Sequence, residues 1–189
     1  MENSMAFKEF KGVPVSVAYH LIHPKPAVIV ISMDRSGKAN GMTAAWTTPL
    51  SISPPLVGVS ISPRRYTYEL VKSSGEFTIN VLDRRYASQV HYVGTVSGRD
   101  RDKLAEAGFT LRKSKSVKPP HIGEALAVLE CVVEKDVEAG DHVFFIGRVV
   151  EAYAKPDVFD EVYRPKKAKI LMHLGGSYYA TLADELIEL

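Results

Sequence analysis

The chain has a single cysteine, Cys131, and a single tryptophan, Trp46, among its 189 residues. One cysteine excludes a disulfide within the chain and any metal cluster built from several thiolates, and it suits a reducing compartment. Cys131 alternates with Leu129 and Val133, the pattern of a buried strand position; a reactive thiol would need exposure and a nearby base. Charge of one sign is also scarce. The formal net charge is +2, too small and too evenly spread for a nucleic-acid face. The densest basic run, Lys166-Lys167-Ala168-Lys169, reads as a solvated turn or edge. No apolar run approaches the roughly 20 residues of a membrane helix, and the first residues are acidic and polar rather than basic and then apolar. The expectation is a soluble, cytoplasmic protein with neither a nucleic-acid nor a membrane partner.

The common catalytic signatures are missing as well. There is no GxGxxG, no GxxxxGK[ST], no HExxH and no GxSxG, which removes the usual nucleotide-loop, zinc-peptidase and serine-hydrolase readings. The six histidines are dispersed. Only His20 and His23 lie close together, and Pro24 directly after them disfavours a shared helical face, so no metal site is expected.

What is present is an ordinary globular composition, 46% hydrophobic and 24% charged. The length suits one domain spanning 1–189. Residues 27–33 form a β-branched run too short for a helix, and residues 34–41 gather turn formers before a second strand candidate at 42–48. Pro49, Pro54 and Pro55 confine any following strand to an edge, after which 56–61 reads as a clean strand. Residues 67–73 have helical spacing, with Thr67 placed as cap and Ser73-Ser74-Gly75 as the stop. Strand composition returns at 77–82, helix candidates cover 85–96 and 102–107, and segments 125–137 and 142–153 form a long antiparallel hairpin around a turn at 138–141. Residues 155–169 are polar and proline-punctuated, as a surface segment would be. Many short strands, few helices and no βαβ rhythm point to a mainly β fold, a barrel or a sandwich. Periodicity does not choose between them; an antiparallel β-barrel with a few helices is preferred.

Polar residues concentrate around the ends of these strands: Asn40, Thr43, Trp46, Thr47 and Thr48, then Ser60, Ser62, Arg64, Arg65, Tyr66 and Thr67. A flavin mononucleotide site needs a flat apolar or aromatic wall, amides and hydroxyls for the ring heteroatoms, and cationic or helix-N-terminal donors for the phosphate. The stretch Ser62-Pro63-Arg64-Arg65-Tyr66-Thr67 supplies the last of these. The alternative is that Thr67 only caps its helix while the arginines pair with surface carboxylates.

The run NGMTAAWTTPLSISPPLVGVSISPRRYTYELVKSSGEFTIN over residues 40–80 resembles the flavin reductase-like family of FMN-binding split barrels, and within it the flavoredoxin and archaeal ferric reductase types. The resemblance continues through Ser97-Gly98-Arg99-Asp100-Arg101-Asp102-Lys103 and the Asp141-His142 strand start, weakening before Pro24 and after about Val150. It implies a homodimer with FMN near the interface. It further implies that Asn40 contacts the ring edge or ribityl chain, Trp46 the side of the ring, and Thr47 and Thr48 the pyrimidine edge. Ser60, Ser62 and Thr67 would meet phosphate or ribityl, with Arg64 or Arg65 as the phosphate cation. Lys103 would stabilise the phosphate or negative charge on reduced flavin. His142 would sit by the ring or the incoming donor as the catalytic imidazole, and Tyr178 or Tyr179 would be a late aromatic next to the flavin. The implied chemistry is hydride transfer from NAD(P)H to FMN, then release of electrons to free flavin, ferric iron, oxygen or a protein. A flavoredoxin-like carrier reduced by a partner protein is the alternative, and a barrel that no longer holds flavin is a third.

Overall fold

Residues 28–31 are apolar without alternation because both faces of the strand they form are covered. In the computed structural model, which describes residues 10–188, this strand is β1 (Val28–Met33). It is followed by β2 (Ala39–Ala44), β3 (Thr47–Ser51), β4 (Leu56–Ile61), α1 (Tyr66–Ser74), β5 (Glu76–Val81), α2 (Ala87–Thr95), α3 (Lys103–Glu106), β6 (Ala127–Ala139), β7 (His142–Ala154), β8 (Leu171–Gly175) and β9 (Tyr178–Thr181). Val28 and Val30 point into one cluster with Met42, Phe77, Ile79, Cys131 and Phe145. Ile29 and Ile31 point the other way, against Val90 and Val93 of α2 and Leu104 of α3. A strand buried on both faces loses the polar alternation of a half-exposed one.

Seven strands pair in the order β2-β1-β5-β6-β7-β4-β3, every pair antiparallel. The two edge strands, β2 and β3, are separated in sequence only by Ala45 and Trp46. The three peptide steps from Ala44 to Thr47 span at most about 11 Å, so the edges of the sheet must meet. The sheet therefore rolls into a barrel, and the Ser60 N–H donates to the Trp46 carbonyl at 3.0 Å, extending the β3–β4 ladder to the crossover residue. This corrects the reading of 42–48 as one strand: its apolar pattern is continuous, but the chain changes edges at Trp46. Pro49 sits in β3, at the edge that a missing N–H tolerates.

Two further boundaries differ from the sequence reading. The turn is shorter than 34–41, because Asp34 Oδ1 accepts from the Ser36 and Lys38 N–H groups and closes it by Lys38, leaving Ala39, Asn40 and Gly41 in β2. Thr67 does not cap α1: Arg65 occupies that position without a side-chain bond, and Thr67 lies buried in the first helical turn. Gly75 ends α1 at φ 69°, and Gly140 turns the β6–β7 hairpin at φ 65°, both in the left-handed region that glycine enters without strain. The segment 155–169 is mostly exposed, but it plugs Val158 and Ala168 into the barrel cluster. Near the chain start, a 3-10 helix at Val15–Ile22 has no buried residue. The short strand Lys25–Pro26 pairs with β8, which in turn pairs with β9. No helix among the described residues is long and apolar enough to cross a membrane.

Candidate functional site

Where β2 leaves for the opposite edge and α1 begins, two cavities share Met42, Arg64 and Arg65 and form one cleft. Its narrow part, about 170 Å³, is bounded by Asn40, Tyr66 and Thr67 of the first turn of α1, residues 94–98 and Lys103. Its wide part, about 580 Å³, has a floor of Met42, Ala44 and Ile61 and walls that include Tyr19, Trp46 and His142. Among the described residues no carboxylate lines either part, whereas Arg64, Arg65 and Lys103 do. A concave, low-dielectric site lined by one sign of charge draws an anion.

The groups of the narrow part fix one another. Asn40 Nδ2 donates to Thr67 Oγ1 at 2.8 Å, tying β2 to α1. A Cβ on Gly98 would lie 1.8 Å from Asn40 Oδ1, so the segment after α2 can approach only as glycine. Lys103 is 5% exposed, and its ammonium donates to the Val93 and Val96 carbonyls at 2.9 and 2.8 Å. Those carbonyls end α2, where the helix dipole favours a cation. Burial, with the Arg65 guanidinium adding to it, lowers the Lys103 pKa to about 8. One of the three ammonium hydrogens remains for a ligand. Outside this shell, Arg99 pairs with both carboxylate oxygens of Glu69 and lies 5.0 Å over the Tyr66 ring, clamping the 97–101 loop onto α1.

The wide part is aromatic and less saturated. The Trp46 and His142 rings lie 4.8 Å apart at 38°, and Tyr19 meets Trp46 edge-on at 5.4 Å. His142 Nδ1 is 2.7 Å from Asp141 Oδ1, a contact that holds the Asp141 carboxyl below its usual range and leaves the imidazole Nε2 for the cavity. The Ser62 hydroxyl is buried without a hydrogen-bond partner among the described residues.

Eleven of the residues singled out in the sequence line this cleft together: Asn40, Thr43, Trp46, Ser60, Ser62, Arg64, Arg65, Tyr66, Thr67, Lys103 and His142. The Thr43 hydroxyl donates to the Val90 carbonyl, so only its lone pairs face a ligand. Thr47 and Thr48 lie past the crossover at Trp46 and line an adjoining apolar cavity of about 290 Å³ with Ile22 and Phe144, which shares Tyr19, His23, Trp46 and Ser60 with the wide part. Tyr178 lines none of these cavities: opposite Gly175 at a register irregularity of the β8–β9 pair, it is 74% exposed. Its neighbour Tyr179 turns inward, 5.3 Å from the His173 ring. The lining residues left unassigned in the sequence include four aromatic or imidazole side chains, Tyr19, His20, His23 and His173. His20 and His23 were visible as a near pair. His173 reaches them only through the Lys25–His173 register of the small sheet, which no local pattern encodes.

The sequence model of the Flavin reductase like domain matches residues 20–181, well beyond Val150, where the resemblance was read as weakening. The reductase component of a 4-nitrophenol 4-monooxygenase/4-nitrocatechol 2-monooxygenase from Rhodococcus opacus is 29% identical over 165 residues, 87% of this chain and 85% of that protein. Among solved structures, an FMN-binding protein from Thermus thermophilus with bound 1-cyclohex-2-enone superposes with a TM-score of 0.84 at 27% identity, covering 95% of this chain and 98% of the other. A flavoredoxin from Methanosarcina acetivorans gives a TM-score of 0.84 at 26% identity, covering 95% and 94%.

Proposed function

The chain belongs to the flavin reductase-like domain family, and from that premise we propose that its cleft binds FMN non-covalently and that the protein is an FMN-dependent oxidoreductase. The carrying observation is the division of one carboxylate-free cleft into a cationic, hydroxyl-lined narrow end and an aromatic wide end. That division matches a ligand that is a phosphate at one end and a flat ring at the other. Arg64, Arg65 and Lys103 would neutralise the phosphate, with Asn40, Thr67 and the unpartnered Ser62 hydroxyl serving the phosphate or ribityl chain. Met42, Thr43, Trp46 and Ser60 would bound the ring. His142, held by Asp141, would donate a hydrogen bond or pass a proton at Nε2. Bound FMN supplies hydride acceptance and the release of electrons.

The donor is NAD(P)H and the acceptor free flavin, ferric iron or another oxidant. The similarity to a monooxygenase reductase component supports this. A second reading, an electron carrier reduced by a partner protein, is favoured by the lack of any dinucleotide motif in the sequence and by the similarity to a flavoredoxin. A homodimer is part of the proposal. Its support is the apolar 3-10 helix, where Val15, Leu21 and Ile22 are exposed, together with Leu50 and Ile52 of the barrel edge. An anaerobic visible spectrum of the FMN-loaded protein separates the two redox readings. Prompt bleaching by NADH or NADPH is expected for the reductase, whereas a flavin indifferent to both belongs to the carrier.

A further inference from the structure

A cavity of about 240 Å³ opens where the end of β7 meets the short paired strands Leu111–Arg112 and His121–Ile122. It shares no lining residue with the cleft. Its lining includes the buried apolar residues Ile122, Leu126 and Val128, with Tyr153 beside them. The backbone around it is locked. The Gly123 N–H donates to the Thr110 carbonyl at 2.8 Å, the Ala125 N–H to the Ile122 carbonyl at 3.1 Å and the Lys155 N–H to the Leu126 carbonyl at 2.9 Å. A prearranged site of this kind leaves little ordering cost to binding.

Two exposed cations, Arg112 and Lys155, also line the cavity. Arg112 lies along Gly123, where a Cβ would come within 2.7 Å of its Nε, and the Lys155 ammonium donates to the Glu124 carbonyl at 3.2 Å. Neither forms an ion pair among the described residues, and no carboxylate among them lines the cavity. The carboxylates of the neighbouring elements are committed elsewhere. Both Glu124 oxygens face the Thr110 N–H, at 3.3 and 3.1 Å. Glu130 is fully buried and accepts from the N–H groups of Lys115, Ser116 and Val117 and from the Tyr153 hydroxyl. Two unneutralised cations beside apolar surface match an anion with an apolar body. The volume, equal to about eight waters of the liquid, suits a chain of about six carbons.

We infer that this cavity is a second ligand site, for a small aliphatic monocarboxylate whose head meets Arg112 and Lys155 and whose chain lies against Ile122, Leu126 and Val128. The inference stands apart from the flavin reading.

Amide chemical shifts of the isotope-labelled full chain, FMN-loaded and flavin-free, titrated with hexanoate, butanoate and hexanol at constant ionic strength, test it. Hexanoate is expected to shift the Gly123 and Lys155 amides and to bind at least about tenfold more tightly than hexanol, which has the same chain and no charge. It should also bind more tightly than butanoate, each buried methylene contributing up to about fourfold. Arg112→Gln and Lys155→Gln should each erode the preference for hexanoate over hexanol and leave FMN affinity unchanged, whereas Lys155→Arg should keep both. No localised shifts, equal affinity for hexanoate and hexanol, equal affinity for hexanoate and butanoate, or a preference that survives both glutamine substitutions would overturn the inference. Retained hexanoate binding in a protein that takes up no FMN would instead overturn the flavin reading and leave this site standing.

Discussion

The two ends of the cleft are built on opposite plans. At the narrow end the inner groups brace one another: Asn40 holds Thr67, Lys103 holds two carbonyls at the end of α2, and Gly98 lets the loop close on Asn40. At the wide end the Ser62, His23 and His173 side chains keep buried atoms unpaired among the described residues. A braced, prearranged end suits a group that binds once and stays, because little ordering cost is left at binding. An end with open valences suits molecules that come and go. The contrast gives each end its own sensitivity to substitution.

Gly98→Val should have the largest effect. The added carbon cannot sit 1.8 Å from Asn40 Oδ1, so either Asn40 or the loop must shift. Overpacking of this kind costs about 1–3 kcal/mol, or about 5- to 150-fold in FMN affinity read by quenching of flavin fluorescence. Unchanged affinity would mean that the narrow end is not the anchor. Thr67→Val comes next. It keeps the shape but strands the buried Asn40 amide, so denaturant unfolding should show a loss of about 1–3 kcal/mol, which Thr67→Ser restores.

Lys103→Met should weaken FMN binding and, because it removes the donor to the Val93 and Val96 carbonyls, also lower stability. The wild-type lysine has its pKa lowered to about 8, so above that pH the empty protein loses the charge that attracts the phosphate. FMN affinity should then fall by up to about tenfold per pH unit, a slope absent from Lys103→Met. The stability of the empty protein should move the other way. Between the folded pKa of about 8 and the ordinary 10.5, the unfolded chain holds more protons, so this lysine's contribution to stability rises with pH across that window. The smallest effect is expected for Arg99→Ala. The Arg99 and Glu69 side chains are 45% and 48% exposed, and such pairs contribute less than about 1 kcal/mol. A large loss of FMN there would extend the narrow end outward to the loop it clamps.

The sequence carried one of these ends better than the other. The narrow end draws on Asn40 and on the contiguous Ser62–Thr67 stretch, where cations and hydroxyls gather at the start of a visible helix. Even so, spacing did not show that Thr67 sits inside the first turn and bonds Asn40 instead of capping. The wide end depends on long-range pairing. His23 and His173 are 150 residues apart and meet through a strand of two residues, Lys25–Pro26, too short to leave a periodic signal. The same limit hid the crossover at Trp46, since an apolar run looks alike whether it stays on one edge of a sheet or passes to the other. The barrel itself was expected from the sequence, but the place where it closes is set by β2 and β3 lying on opposite edges.

The most direct measurement compares the affinities of FMN and riboflavin for the purified protein by quenching of flavin fluorescence. The two ligands share the ring and ribityl chain and differ only in the phosphate. If the narrow end is the phosphate anchor, FMN binds at least about tenfold more tightly, consistent with charge-assisted hydrogen bonds of about 1.5–3 kcal/mol. The gap should also shrink in Lys103→Met. Equal affinity for the two flavins would contradict the assignment of the cleft.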